Sequence, residues 1–270
     1  MSTSETLEPF DWRRIALPMR VMTTVERYSQ LMAEDPIRAA DWARNAAVAG
    51  DPQAQLVWGH LLLTAHGVER DAEAALRWFS LAARAGDVEA ANMVGRCHEL
   101  GLGTVVDIAQ AARWFRIAAD GNDPWGCFNL ACLMLGHDRS TKSIEDAMTL
   151  LVRSARRGNP KAMVMIGQSL EEGWRGRVDL TAARRWYLRA ARGGCFRGQF
   201  HTARCLLADG RVDDALPWLA QSLVVASPGF CAEIVAFFAE HPDPRVQQVL
   251  ASGAAKTSGN SGNFAAIGGL

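Results

Sequence analysis

The chain has 270 residues, 49% of them hydrophobic, so apolar side chains are sufficient for a sizeable core. Its 29 basic and 29 acidic residues give a net charge of zero, which excludes a protein that binds polyanions through its overall charge. The sequence contains no run of about 18 apolar residues, so no transmembrane helix and no membrane partner are expected.

The start of the chain shows none of the features of a secretory signal. Residues 1–15 run from acidic to basic without an apolar stretch and are interpreted as an N-terminal segment. The six cysteines lack zinc-like CxxC spacing and follow no period. Together these features predict a cytoplasmic protein with reduced thiols and no cofactor.

A tryptophan recurs along the chain at an interval of 36 residues. The positions on this grid are Trp42, Trp78, Trp114 and Trp186, with Leu150 in the remaining place. Small residue pairs follow at a constant phase, at Ala46-Ala47, Ala82-Ala83, Ala118-Ala119, Ser154-Ala155 and Ala190-Ala191. A fixed period of this length predicts a stacked array of repeats, in which each unit packs only on its neighbours.

Each repeat carries the signals for two helices. Helix A is predicted to begin after a residue whose side chain caps the first turn, namely Asp51, Asp87, Asp123 or Asn159. Helix B is predicted to begin after a second series of caps, namely Asp35, Asp71, Asp107, Ser143 and Asp179. Left-handed residues are predicted to end helix B, at Gly50, Gly86, Gly158 and Gly194, with Gly121-Asn122 in the third unit.

A small residue occupies the same position of every helix A. These residues are Gly59, Gly95, Ala131, Gly167 and Ala203. Glycine destabilises a helix interior by about 1 kcal/mol relative to alanine, so its recurrence indicates close packing between helices. The tryptophans of helix B are predicted to fill the space between units, and the loss of one should cost about 3–5 kcal/mol.

This pattern resembles the Sel1-like repeat, a relative of the tetratricopeptide repeat. The family motif runs roughly A-x4-G, a G-x-G turn and then D-x3-A-x2-W-[YF]-x2-A-A-x2-G. One unit matches it at Ala54, Gly59, Gly67-Val68, Asp71, Ala75, Trp78-Phe79, Ala82-Ala83 and Gly86. Another matches it at Ala162, Gly167, Gly173, Asp179, Ala183, Trp186-Tyr187, Ala190-Ala191 and Gly194. The resemblance implies an all-α fold, a right-handed α/α superhelix (solenoid) of about five to six helix-turn-helix repeats.

The resemblance covers about residues 16–225 and divides the chain. Residues 16–51 are predicted to form a degenerate capping repeat, because Thr23 stands where the small residue belongs, and residues 52–227 form the repeats. Residues 228–252 are predicted to form C-terminal capping helices. Residues 253–270 are rich in Gly, Ser and Asn and are predicted to be a disordered tail.

The proposed C-terminal cap contains a strongly apolar stretch, Phe230–Phe238, followed by a short predicted helix around Arg245–Leu250. The stretch is predicted to be a helix that closes the end of the core. The alternative is an exposed contact site, through which the chain could form a homo-oligomer.

The resemblance also implies a function and a site, because Sel1-like proteins are scaffolds and adaptors whose concave groove, lined by helix A, binds a partner protein or peptide. Positions i, i+4, i+7 and i+11 of helix A form one stripe, and its central position varies between units. The mixture of Met, Trp and Arg in the stripe is typical of an interface. The predicted partner-binding residues are Val57, His60, Met93, Arg96, Trp125, Asn129, Cys132, Met165, Gln168, His201 and Arg204.

No catalytic or metal-binding motif accompanies the repeats. The patterns GxSxG, P-loop and HExxH are absent. His201 and Cys205 are four residues apart, but zinc needs two more ligands and no second pair is available. Cys97 and His98 are adjacent, so on a helix they point about 100° apart. We therefore expect no catalytic residue, no metal site and no enzymatic activity.

A different function class follows from the distribution of charge. Residues 1–149 carry a net charge of −6, residues 150–211 of +9 and residues 212–270 of −3. The alternative function is therefore binding of a nucleic acid or another polyanion through the arginine-rich segment 150–211. The simpler interpretation of this segment is a solvated helix surface.

Overall fold

The computed structural model describes Leu31 and residues 35–259, and all regular structure within them is helical. The helices are α1 (Pro36–Val48), α2 (Pro52–Thr64), α3 (Ala72–Arg84), α4 (Val88–Leu100), α5 (Ile108–Asp120), α6 (Pro124–His137), α7 (Thr141–Arg156), α8 (Pro160–Glu172), α9 (Leu180–Arg192), α10 (Phe196–Ala208), α11 (Val212–Val225), α12 (Pro228–Phe237) and α13 (Pro244–Gly259). The predicted all-α fold of helical repeats is confirmed. The predicted N-terminal segment and Thr23 lie outside the described residues. No helix in the described part of the chain has the length and apolar character needed to cross a membrane.

Two compact units divide the chain, Met1–Ala111 and Ala112–Leu270. In the first unit, α1 packs on α2, α2 on α3 and α3 on α4. In the second unit, each helix from α6 to α10 packs on the next, and α13 packs on both α11 and α12. Contacts within each unit therefore run mainly between neighbours in sequence, as expected for a repeat array.

Most helices begin after the predicted capping residues. Side-chain oxygens of Asp51, Asp87, Asp123 and Asn159 accept hydrogen bonds from first-turn N–H groups of α2, α4, α6 and α8. Asp35, Asp71, Asp107 and Asp179 cap the second helices of the repeats in the same way. Positive φ angles at Gly50, Gly86, Asn122, Gly158 and Gly194 confirm the predicted left-handed residues that follow these helices.

The prediction that Ser143 caps a helix is wrong. Helix α7 begins at Thr141, and Ser140 caps it by accepting a hydrogen bond from the Ser143 N–H at 3.3 Å. The carboxylate of Asp138 accepts hydrogen bonds from both the N–H and the hydroxyl of Ser140, at 2.8 and 2.7 Å. This local network fixes the cap three residues earlier than the grid predicts, and Ser143 becomes a buried residue of the first turn.

In α3, α5 and α9 the fully buried aromatic residue is the one after the tryptophan. Phe79, Phe115 and Tyr187 are 0% exposed, whereas the tryptophans before them are half-buried. That the tryptophans fill the space between repeats stays a prediction, and the most buried side chain is the one that follows each of them. Consecutive side chains on a helix point about 100° apart, and the side chain that reaches furthest into the core is the second of the pair.

The buried aromatic residues explain the small residues of the first helices. A Cβ at Gly59 would lie 2.5 Å from Cε1 of Phe79, and a Cβ at Gly167 would collide with the ring of Tyr187. Alanine replaces glycine where leucine replaces the aromatic residue: Ala131 shares a core cluster with Leu151, and Ala203 shares one with Leu219. Thus a glycine on the first helix of a repeat faces an aromatic residue on the second helix, and an alanine on the first helix goes with a leucine on the second.

The apolar C-terminal stretch contributes to the core of the second unit. Phe230, Cys231, Ile234 and Phe238 are buried in one cluster, and Phe237 is 57% exposed. Helix α13 then continues past Leu250 to Gly259, so residues 253–259 are helical where a disordered tail was predicted to begin. Ala254, Ala255 and Lys256 favour a helix intrinsically. The rest of the predicted tail lies outside the described residues.

Candidate functional site

The predicted partner-binding residues of the first unit lie in two environments. Val57 is 9% exposed and Met93 is 4% exposed, so the prediction that they are surface residues is wrong. Both belong to helices that are covered on all sides over part of their length, since residues 54–59 and 90–95 are all buried. His60 and Arg96 remain half-buried, and the His60 ring meets Phe79 edge-on at a centroid distance of 5.2 Å.

The corresponding residues of the second unit are all half-buried and lie on α6, α8 and α10. We call Trp125, Asn129, Cys132, Met165 and Gln168 the helix-A face of the second unit. Side chains of α6 and α8 meet at one end of this face, where the Lys161 ammonium lies 5.1 Å from the centroid of the Trp125 ring. The helix-A face therefore combines an accessible indole, a thioether and amide groups on two adjacent helices.

The remaining two predicted residues, His201 and Arg204 on α10, belong to a polar cluster that the sequence analysis missed. Arg204 Nη2 lies 2.6 and 2.7 Å from the two carboxylate oxygens of Glu171. The Tyr187 hydroxyl donates to Glu171 Oε2 at 2.7 Å, and the His201 ring stacks on Tyr187 at 4.4 Å. Arg204 is thus neutralised by a carboxylate of its own chain and does not provide a basic end to the face.

The electrostatics of this cluster follow from its burial. Burial raises the pKa of Glu171, but hydrogen bonds from Arg204 and Tyr187 outweigh it, so the pKa lies below its usual value. Burial and the hydrogen bond to Glu171 raise the pKa of Tyr187. Burial, together with the Arg204 charge, lowers the pKa of His201 to about 4. At neutral pH the cluster therefore consists of the neutral His201 imidazole beside the ion pair of Glu171 and Arg204.

Lowering the pH from 8 to 5 is expected to reduce the free energy of unfolding by about 2 kcal/mol through His201. The histidine titrates near 6.5 when unfolded and near 4 when folded, so the unfolded state binds more protons between these values. Stability is therefore lost as the pH falls through this window. The pKa of His60, lowered by burial, acts in the same direction. Urea denaturation at both pH values measures the loss.

The matched control for this pH effect is His201→Phe, which keeps a ring against Tyr187 and removes the titrating group. The pH dependence should shrink by about 2 kcal/mol in this variant. Glu171 does not interfere, because its lowered pKa places its effect below pH 4.5. An unchanged pH dependence in the variant would show that His201 titrates normally in the folded protein.

The basic segment 150–211 is divided between internal contacts and solvent. Arg153 donates to the Ala119 carbonyl at 2.6 Å and to Asn122 Oδ1 at 3.1 Å. Arg184 makes two hydrogen bonds to the Asp209 carboxylate, at 2.7 and 3.0 Å. Carboxylates therefore neutralise Arg184 and Arg204, whereas Arg153 keeps its charge but is held by neutral oxygens of its own chain.

His201 and Cys205, the two residues with the spacing of metal ligands, have different surroundings. His201 lies against Tyr187, whereas Cys205 lines a cavity between α9, α10 and α11. Among the residues that the structure describes, no three His, Cys, Asp or Glu side chains gather in a group suited to a metal ion. Burial raises the pKa of Cys97 to about 11, which keeps this thiol protonated at neutral pH.

Comparisons with known proteins agree with the repeat architecture. The Sel1 repeat pattern matches residues 52–87, 88–123, 126–159 and 160–195, which together are more than half of the chain. A Sel1 repeat protein from Oxalobacter formigenes is similar in structure, with a TM-score of 0.71 and 24% identity over 86% of this chain and 99% of that chain. No match was found among curated proteins.

Two further solved structures share the fold. One is c5321, a protective antigen of uropathogenic Escherichia coli with an SLR fold, with a TM-score of 0.61 and 26% identity over 83% of this chain. The present chain spans 49% of the c5321 chain. The other is the immunity protein Pa5087 from Pseudomonas aeruginosa, with a TM-score of 0.53 and 16% identity over 77% of this chain and 81% of that chain.

Proposed function

Because the chain belongs to the Sel1 repeat family, whose fold generally serves protein–protein interaction, we propose that it is a non-enzymatic adaptor for a partner protein or peptide. The proposed binding surface is the helix-A face of the second unit, and the proposed location is the bacterial cytoplasm. An extended or helical peptide lies across α6 and α8. His60 and Arg96 are the candidate contacts on the first unit.

The observation that carries this proposal is the half-buried indole of Trp125, with Lys161 over its ring. Tryptophan is among the residues that contribute most to binding energy, particularly where a partner completes the removal of water around the ring. Met165 offers a flexible apolar side chain on the adjacent helix, packed only in part against the core. A partner that covers this face would bury both side chains.

The rigid support of Trp125 favours the same interpretation. The carbonyl of the preceding residue, Pro124, accepts a hydrogen bond from the Ser154 hydroxyl at 2.5 Å and another from Asn159 Nδ2 at 3.3 Å. These bonds hold the start of α6 against α7 and the cap of α8. A surface held in place before binding loses less conformational entropy when a partner arrives, which increases affinity.

Partner capture from a lysate of the source organism tests this proposal. The variant Trp125→Gln/Met165→Gln/Gln168→Ala is expected to retain a specific partner at least about tenfold less than wild type, because it removes the central side chains of the face. Arg204 is left intact, since removing it would strand the Glu171 carboxylate and confuse binding with stability.

The matched control removes comparable apolar surface elsewhere in the second unit, at Ile117→Gln, Leu180→Gln and Val224→Gln, whose side chains are 50, 51 and 62% exposed. This control should retain the partner as well as wild type. Equal retention by the helix-A variant, or an equal loss in the control, would contradict the assignment of the face.

A further inference from the structure

A cavity of about 390 Å³ lies between α9, α10 and α11 of the second unit. Trp125 and Met165 of the helix-A face lie on other helices, α6 and α8. Leu188, Leu206 and Trp218 give its lining apolar surface. Its volume falls within the range of about 300–1,000 Å³ that is usual for ligand sites. The proposed function leaves this cavity without a role.

Four arginines line the same cavity, and only two of them are paired. Arg184 is bound to Asp209, and the Arg211 Nε lies 2.8 Å from Asp214 Oδ2. Arg185 and Arg192 are exposed, and within the described part of the chain neither has a carboxylate partner. The cavity therefore has an excess of positive charge, carried by guanidinium groups that bind carboxylates in a bidentate manner.

The third feature of the cavity is a buried hydroxyl. Thr202 lines the cavity and is 7% exposed, yet its Oγ1 has no hydrogen-bond partner in the described chain. Buried polar groups almost always have such a partner. A ligand that enters the cavity and displaces the side chains over this hydroxyl supplies the missing partner.

We infer that this cavity binds an acidic peptide segment of a partner protein. Arg185 and Arg192 hold its carboxylates, and an apolar side chain of the peptide packs among Leu188, Leu206 and Trp218. A nucleic acid fits less well, because it has no aliphatic side chain to pack against Leu188 and Leu206. The inference goes beyond the proposed function, since it concerns a separate surface.

Fluorescence anisotropy with the labelled probe peptide acetyl-Glu-Glu-Phe-Glu-Glu-amide tests the inference on the full chain. Wild type is expected to bind it saturably, and the peptide with Gln in place of every Glu should bind at least about tenfold more weakly. The variant Arg185→Gln/Arg192→Gln should also lose about tenfold in affinity. The control Arg113→Gln/Arg116→Gln removes the same charge from exposed positions outside the cavity and should bind as wild type does.

Thr202→Val provides an independent variant, because it removes the hydroxyl without removing any hydrogen bond of the folded chain. It should weaken the probe peptide about threefold, as expected for the loss of one hydrogen bond, while the melting temperature does not fall. No saturable binding by wild type, or equal weakening in the Arg113→Gln/Arg116→Gln control, would overturn the inference. Tighter binding of a ten-residue oligodeoxythymidine with the same arginine dependence would assign the cavity to nucleic acid instead.

The two surfaces can be tested separately. The Trp125→Gln/Met165→Gln/Gln168→Ala variant should bind the probe peptide as wild type does, since none of these residues lines the cavity. Loss of partner capture in that variant would support the helix-A face whatever the peptide assay shows. Loss of probe binding confined to the cavity variants would support the cavity alone.

Discussion

Replacing Phe79 by alanine is expected to lower the free energy of unfolding by about 3–5 kcal/mol. The Phe79 ring is 0% exposed and lies against Gly59 of the preceding helix, so its removal leaves a cavity that the backbone cannot easily close. The neighbouring Trp78 is half-buried, and Trp78→Ala should therefore cost less. Urea denaturation of both variants decides the order, and a larger loss for Trp78→Ala would contradict the packing described above.

A size exchange tests the same contact from both sides. Gly59→Ala should destabilise the protein by about 1–3 kcal/mol, because the added Cβ would lie 2.5 Å from Cε1 of Phe79. Combined with Phe79→Leu, it recreates the alanine and leucine found at Ala131 and Leu151. The double variant should be more stable than the sum of the single changes by at least about 1 kcal/mol. Simple additivity would show that the two positions do not constrain each other.

The second large effect is expected at Gly103, in the turn between α4 and α5. Its φ is +71°, and a Cβ there would collide with the backbone carbonyl of Ala72 at the start of α3. Gly103→Ala should therefore cost about 3 kcal/mol or more, because left-handed strain and a backbone collision add together. The effect should appear in the midpoint of chemical denaturation.

Gly50→Ala is the matched control for the turn. Gly50 also has a positive φ, +95°, but no atom lies within 4 Å of the position that a Cβ would take. This variant should lose only about 1–2 kcal/mol from backbone strain. Equal losses at Gly50 and Gly103 would mean that the turn does not press against α3, and that its glycine is needed for conformation alone.

Local interactions explain why so much of the fold could be predicted from the sequence. A capping side chain reaches the first turn of its own helix, so Asp51, Asp87 and Asp179 could be recognised without knowledge of any neighbour. The one predicted cap that is wrong, Ser143, belongs to the repeat in which Leu150 stands in place of the tryptophan. There the Asp138 carboxylate binds Ser140 and starts the helix earlier.

The parts that could not be predicted depend on two helices at once. The choice between Trp78 and Phe79 as the buried side chain depends on the direction from which α2 approaches α3. The burial of Val57 and Met93 has the same origin. The spacing of residues along one helix shows which side chains share a face, but it does not show which neighbouring helix covers that face. The Glu171–Arg204 pair joins residues 33 positions apart on different helices. Because the sequence does not reveal this pair, it predicts Arg204 as a residue available to a partner.

Photo-cross-linking tests the assignment of the helix-A face most directly. The photoreactive residue p-benzoylphenylalanine is placed at Gln168, on the helix-A face, and in a second protein at Arg116, an exposed position of α5. Both proteins are irradiated in the presence of the partner found by capture. The adaptor proposal predicts a cross-link to the partner from position 168 and none from position 116. A cross-link from position 116 alone would contradict it.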